Sequence, residues 1–172
     1  MQEHAVSPFS IWRLLLHQIR LPGKAMKQVT VNTYRQDKYY PRVVRAVAKI
    51  LSRSDVVAPV EVLMEMGNVT EKNHEAWYRG HVPYLERVFE GSLSKANRIL
   101  RIIGFHVHDL HMVPRRTVYY QWGQGKDRIL RFSKSGNEGV EDAYATHYVW
   151  NRSQEKKRQV IERSMPAQSD EK

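Results

Sequence analysis

The chain has 172 residues and a 41% apolar content, which is enough for one folded domain with a hydrophobic core. It contains no cysteine, which excludes disulfides, thiolate catalysis and cysteine-ligated zinc sites and favours a reducing, cytoplasmic location. The longest apolar run, residues 9–21, is interrupted by Arg13, His17 and Arg20, so we expect no transmembrane segment.

The net charge of +10 is distributed unevenly along the chain. Residues 1–53 hold ten lysines and arginines against two acids, and residues 94–135 hold nine against two. Residues 54–93 reverse the sign with three against seven, and residues 136–172 are nearly balanced. Two basic blocks around an acidic one indicate a polyanionic partner, DNA or RNA. The chain otherwise has the look of a bacterial cytoplasmic protein.

Residues 1–40 are predicted to form an amphipathic helix and a linker. The helix should begin at Ser7, which caps it, and end near Arg20. This stretch is basic and poor in acids, so an organellar transit peptide and a membrane-surface helix are alternatives to a helix docked on the domain. Within the linker, Val29 to Tyr34 could form a short strand.

Residues 41–164 are predicted to form a single domain, followed by a disordered tail over residues 165–172. Asn137 is predicted to cap a long C-terminal helix that begins at Glu138. Helix-starting residues and apolar stripes indicate further helices over residues 41–53, 59–66, 71–79, 83–91 and 95–103.

After Gly104 the hydrophobic period changes to that of a strand. Thr117–Trp122 and Arg128–Ser133 are predicted to pair as a β-hairpin around the turn at residues 123–127. Symmetric pairing would turn Tyr119, Gln121 and Arg131 outward. The same pairing would place on the inner face Val118, Tyr120, Trp122, Leu130 and Phe132.

The fold class is therefore predicted to be α+β and mostly helical, with a helical core, one hairpin in the C-terminal half and a long C-terminal helix. The order of helix, helix and hairpin resembles a winged helix, whose wing contacts the DNA backbone. Residues 59–79 resemble a helix-turn-helix. That segment is net acidic, however, so we interpret it as a helix pair that packs in the core.

Two helices each carry a basic stripe, and the hairpin region is basic as well. A line of cations can follow phosphates because each contact releases condensed counterions. We predict binding of nucleic acid, with DNA favoured over RNA and a duplex favoured over a single strand, without catalysis, cofactor or metal. The predicted contact residues are Arg42, Arg45, Lys49, Lys95, Arg98, Arg101, Arg115, Arg116, Arg131 and Lys134.

Two smaller features also suit nucleic acid. The loop over residues 133–137 precedes a helix N-terminus and could hold a phosphate, although plain helix capping explains it as well. Tyr119, Tyr120 or Trp122 could stack on single-stranded bases, although burial of Tyr120 and Trp122 in the core is the favoured interpretation.

Two other functions are kept open. An adaptor or self-associating protein would use the acidic residues 54–93 to bind a basic partner or a second copy of the chain. A small metal-dependent nuclease would use histidines and acids that lie close in sequence, and His81 with Glu86 could form an acid–base pair. The candidate nuclease residues are His81, His106, His108, His111 and Asp109.

Overall fold

The computed structural model describes residues 28–123 and 127–165, so the predicted helix over residues 7–20 and the tail from residue 166 lie outside it. The described chain forms six α-helices, two 3₁₀ helices and a three-stranded antiparallel sheet, which confirms a mostly helical α+β fold. The helices are α1 (Tyr40–Leu51), α2 (Pro59–Glu65), α3 (Glu71–Tyr78), α4 (Leu93–Asp109), α5 (Glu138–Ala145) and α6 (Gln154–Ser164). The strands are β1 (Val56–Val57), β2 (Val113–Arg116) and β3 (Thr146–Val149).

Helix α1 lies at the centre of the domain. Pro41 occupies its first turn, where the missing N–H costs nothing, and Val43, Val47 and Ile50 are completely buried. The helix packs against α2, α4 and α6. Because the apolar residues recur at helical spacing, the sequence predicts this helix and its buried face correctly.

Helices α2 and α3 also form where the sequence predicts them. Thr70 caps α3 by accepting a hydrogen bond from the backbone N–H of Asn73 at 3.2 Å. Gly67 turns the chain between the two helices with φ of +72°, a conformation that suits glycine. Trp77 of α3 is completely buried, so this pair packs in the core.

Helix α4 is longer than the sequence indicates. The sequence offers Ser92 or Ser94 as its cap. Ser92 is the cap, and the helix continues through Gly104 to Asp109, where a strand was expected to follow. Phe105 and Val107 extend its buried face. A glycine inside a helix costs only about 1 kcal/mol relative to alanine, and the burial of these apolar side chains outweighs that cost.

The long C-terminal helix predicted from Glu138 is wrong, because the strand β3 divides it into α5 and α6. Asn137 caps α5 as predicted, and the Thr146 hydroxyl donates to the carbonyl of Asp142 at 2.7 Å where α5 ends. β3 is the central strand, paired with β1 on one side and with β2 on the other. Its residues, Thr-His-Tyr-Val, suit a strand better than a helix once partner strands are present.

Three further predictions change. The strand proposed over residues 29–34 is a turn followed by a 3₁₀ helix at Tyr34–Gln36, and the helix proposed over residues 83–91 shortens to a 3₁₀ helix at Leu85–Val88. The predicted hairpin is reduced to one bridge, between Tyr120 and Ile129, and the winged-helix order is not confirmed. Within the described residues no helix has the length and apolarity to cross a membrane.

Candidate nucleic-acid interface

The two arms of the hairpin pair in a register that differs by one residue from the symmetric one. Tyr120 bridges to Ile129, and the backbone N–H of Leu130 donates to the carbonyl of Tyr119 at 2.8 Å. Symmetric pairing would instead place Tyr120 opposite Leu130. Because side chains alternate between the two faces of an extended chain, a shift of one residue reverses the faces of one arm relative to the other, so Leu130 and Phe132 stay buried while Tyr120 turns outward.

The shift places three side chains that were predicted to be buried on the surface. Val118, Tyr120 and Trp122 are 49%, 50% and 55% exposed, and Ile129 is 59% exposed. We call these four residues the aromatic face. Full burial of one such side chain contributes about 1.5–3 kcal/mol, so leaving several together in water sacrifices stability. A cluster of this kind indicates a binding surface.

The opposite side of the hairpin packs on Trp77. Tyr119, which was predicted to face outward, turns inward beside Phe132, and the two rings lie 5.7 and 5.3 Å from the Trp77 ring. The indole N–H of Trp77 donates to the carbonyl of Arg131 at 2.7 Å. The Tyr119 hydroxyl lies 2.7 Å from Nε2 of His147 in β3. The hairpin is therefore fixed to both α3 and the central strand.

The end of α3 fixes the part of the hairpin that carries Trp122. The Trp122 backbone N–H donates to the carbonyl of Tyr78 at 2.8 Å, and the Arg79 guanidinium lies 4.3 Å from the centroid of the Trp122 ring. A Cβ at Gly80, whose φ is +77°, would lie 2.2 Å from Oε1 of Gln121. Glycine permits this close approach and so lets the hairpin rest directly on the end of the helix.

Four exposed arginines adjoin the aromatic face along the chain. Arg115 and Arg116 end β2 just before it, and Arg128 and Arg131 lie on either side of Ile129 in the chain. We call these four arginines the arginine group. Arg116, itself exposed, contacts the half-buried Asp142 at 2.8 Å, and the Arg131 guanidinium donates to the carbonyls of Ser133 and Lys134 at 3.3 and 3.2 Å.

The basic stripe of α1 is directed largely at α2. The Arg42 guanidinium donates to the carbonyl of Met66, and Lys49 lies 2.7 Å from a carboxylate oxygen of Glu65. Arg45 is exposed and reaches the carbonyl of its own helix at Pro41. This stripe therefore fastens two helices together, a role that its sequence pattern does not reveal.

The basic stripe of α4 holds the chain that precedes α1. Arg98 forms an ion pair with the buried Asp37, and Arg101 donates to the carbonyl of Val29 at 3.3 Å. Lys95 is half-buried beside them. Arg101 is 8% exposed, and burial lowers its pKa. The expectation that Arg101 is a surface residue is wrong, because the segment before α1 covers it.

The backbone at the start of the loop over residues 133–137 already donates to carboxylates from elsewhere in the protein. The Glu141 carboxylate accepts hydrogen bonds from the N–H groups of Phe132 and Ser133 at 3.0 and 2.7 Å, and from the Ser133 hydroxyl at 2.6 Å. Glu86 accepts from the N–H of Lys134 at 2.8 Å. A phosphate at this loop would have to displace carboxylates, so we interpret the loop as structural. The Lys134 side chain remains exposed.

Glu86 is buried and does not pair with His81. Its second hydrogen bond comes from the hydroxyl of Tyr144 at 3.3 Å, and burial raises its pKa, with a further contribution from the nearby Glu141. His81 is exposed to solvent. The proposed acid–base pair is therefore not assembled in this structure.

Replacing Glu141 by alanine is expected to lower the free energy of unfolding by about 2 kcal/mol, because the buried N–H groups of Phe132 and Ser133 lose their acceptor. Urea denaturation followed by circular dichroism measures the change. Glu138→Ala removes the same charge from an exposed position of α5 and should cost at most about 0.5 kcal/mol. Equal losses in the two variants would show that the carboxylate does not hold the loop.

The chain matches no family model, no curated protein and no solved structure.

The histidines proposed for a nuclease are dispersed. His106 and His108 lie on α4 rather than on a strand, and two residues along a helix correspond to a rotation of about 200°. Asp109 binds Tyr34 and Arg35. Across residues 28–123 and 127–165, no three or more His, Cys, Asp or Glu side chains are grouped to hold a metal ion. This geometry does not favour the nuclease alternative.

The acidic block, residues 54–93, is largely neutralised within the fold. Glu65 pairs with Lys49, Asp55 with Lys157 at 2.7 Å and Glu75 with Arg79 at 2.8 Å. These internal ion pairs reduce the uncompensated negative charge that the adaptor alternative would use.

Sequence reasoning missed two residues of this surface. Arg79 reaches Trp122 because α3 ends at that point, and no spacing in the sequence indicates the contact. Ile129 was not assigned a face, although it alternates with Leu130 and so had to lie opposite to it. Lys126, expected on the hairpin, lies outside the described residues.

Proposed function

We propose that the protein binds nucleic acid, without catalysing a reaction, through the arginine group and the aromatic face. The supporting observation is that four exposed arginines adjoin, along the chain, four exposed apolar side chains on a hairpin anchored to α3 and β3. A guanidinium donates in a planar fork that matches phosphate oxygens, and it retains its charge at every physiological pH.

The hairpin takes the place of the helical stripes in this proposal. Lys49 and Arg98 each have a carboxylate partner, and Arg101 is buried. Using these cations for phosphates would require breaking contacts that hold α1, α2 and α4 together. In the arginine group, Arg116 would exchange its contact with Asp142, and Arg131 its contacts with the nearby carbonyls of Ser133 and Lys134, on binding a phosphate.

The first test removes three charges from the arginine group. The variant Arg115→Gln/Arg116→Gln/Arg128→Gln should bind a fluorescein-labelled single-stranded DNA oligonucleotide more weakly than the wild-type protein. Each phosphate contact contributes about 0.7 to the slope of log K against log salt for a single strand, so three lost contacts should reduce the slope by about 2. Fluorescence anisotropy across a range of salt concentrations measures both quantities.

A matched variant removes three exposed arginines from the helices α1 and α6, namely Arg45→Gln/Arg158→Gln/Arg163→Gln. The net charge changes by the same amount, so this variant should keep most of the affinity and the salt slope. If the two variants weaken binding equally, the interaction depends on overall charge and the hairpin is not the interface. If wild-type protein leaves the oligonucleotide unbound at low salt, the proposed function is wrong.

A further inference from the structure

Three residues of the aromatic face lie in one line along the chain. Along residues 116–122, exposed side chains alternate with half-buried ones, so Arg116, Val118, Tyr120 and Trp122 form a single outward row. In an extended chain, side chains two residues apart are separated by about 7 Å. A row of this kind suits a partner that is itself extended, with flat apolar groups repeated along it.

Trp122 is held in a defined position before any ligand arrives. Its backbone is tied to Tyr78, and the Arg79 guanidinium lies over its indole ring at 4.3 Å from the centroid. Arg79 is in turn held by Glu75 at 2.8 Å. The ring remains 55% exposed, so part of its flat surface is accessible to another planar group.

The charge around the aromatic face indicates which planar groups these are. Exposed arginines belong to the row or adjoin it along the chain, so a partner that brings apolar rings together with negative charge is complementary on both counts. Bases joined by phosphates have this composition. Every base offers a π face, and stacking on tyrosine or tryptophan tolerates any sequence. In a duplex the bases are already stacked on one another, and their faces cannot be reached.

We infer that the ligand is a single-stranded nucleic acid whose unpaired bases stack on Tyr120 and Trp122 while the arginine group contacts its phosphates. This inference rests on the proposed function and specifies its substrate class. It replaces the duplex expected from the sequence, because a duplex offers phosphates to the arginines but no accessible ring to the aromatic face.

The test compares three labelled DNA ligands on the wild-type protein. The first is a single strand of about 20 nucleotides, which exceeds the site size of most single-strand binding folds. The second is the same strand with abasic sites in place of most bases, and the third is the corresponding duplex. The single strand should bind at least about tenfold more tightly than either of the others at equal salt. This comparison needs no variant and therefore no assumption about folding.

Variants then locate the effect. Tyr120→Ala/Trp122→Ala should lose at least about tenfold in affinity for the single strand and should no longer distinguish it from the abasic strand. Tyr120→Phe/Trp122→Phe retains the rings and should retain the preference. Val31→Ala/Leu93→Ala removes two exposed apolar side chains from elsewhere on the surface and should leave affinity unchanged.

The outcomes separate the two proposals. If all three DNA ligands bind equally well, the arginine group is an interface for phosphates but the stacking inference is wrong. If none binds, the proposed function is wrong as well. A further binding measurement uses vesicles of phosphatidylcholine and phosphatidylserine, because exposed tryptophan, tyrosine and arginine also suit a membrane surface. Binding to these vesicles without binding to DNA would overturn both proposals.

Discussion

Replacing Trp77 by alanine should lower the free energy of unfolding by about 3–5 kcal/mol, the range typical of a large aromatic side chain removed from a core. Trp77 is completely buried, packs against Tyr119 and Phe132, and donates its indole N–H to the carbonyl of Arg131 at 2.7 Å. The substitution removes the support beneath the hairpin and one of the two hydrogen bonds to the Arg131 carbonyl, which keeps the bond from the Leu85 N–H at 3.2 Å. Urea denaturation monitored by circular dichroism measures the loss.

Trp122→Ala is the matched control because it removes the same side chain from the outer side of the hairpin. Trp122 is 55% exposed, so we expect a loss of about 1 kcal/mol or less, most of it from the contact with Arg79. Trp77→Phe should fall between the two alanine variants, since it keeps a ring but loses the hydrogen bond. Comparable losses for Trp77→Ala and Trp122→Ala would refute the packing argument.

Acidification should destabilise the fold by about 3 kcal/mol through His106 alone. His106 is 7% exposed, and burial lowers its pKa from 6.5 to about 4, although the nearby Asp109 opposes the shift. The unfolded chain takes up a proton near pH 6.5, whereas the native state takes one up only near pH 4. The contribution is therefore complete above pH 6.5 and is lost as the pH falls from 6.5 to about 4.

The contribution of His106 is isolated by comparing two pH profiles of stability. His106→Gln removes the titrating group, so its free energy of unfolding should fall by about 3 kcal/mol less than that of the wild-type protein over this range. If the profiles of His106→Gln and the wild-type protein are parallel, His106 is already protonated in the native state at neutral pH or is not buried.

The parts of the fold that the sequence predicts correctly are those determined locally. Pro41 and Pro59 lie in the first turns of α1 and α2, Thr70 caps α3, and the first of these helices shows a clear apolar stripe. Caps and stripes act within a few residues, so a single sequence contains the information.

The parts of the fold that the sequence does not predict depend on residues far away along the chain. β3 forms because Val149 pairs with both Val56 and Val113, which lie far away along the chain. Without those partners, residues 138–164 read as a continuous helix. The extension of α4 through Gly104 is similar, since burial by surrounding elements decides it and the glycine itself suggests an end.

The composition of the candidate interface was predictable, but its orientation was not. A basic and aromatic hairpin region is evident in the sequence, and Arg115, Arg116, Arg131 and Lys134 are exposed as expected. The positions of Tyr119 and Tyr120 were exchanged because the strand register was assumed. The stripes of α1 and α4 were identified as patterns, but their role as intramolecular contacts depends on which acids and carbonyls the fold brings beside them.

The register of the hairpin makes the number of residues in its turn important for which side chains face outward. Tyr119 and Tyr120 are neighbours of the same type, yet one packs on Trp77 and the other is half in water. A change of one residue in the turn that shifted the pairing would bring the exposed Tyr120 and the buried Leu130 to the same face, so the two could not both keep their surroundings. We therefore expect natural variants of this protein to tolerate substitutions in the turn far more readily than changes in its residue count.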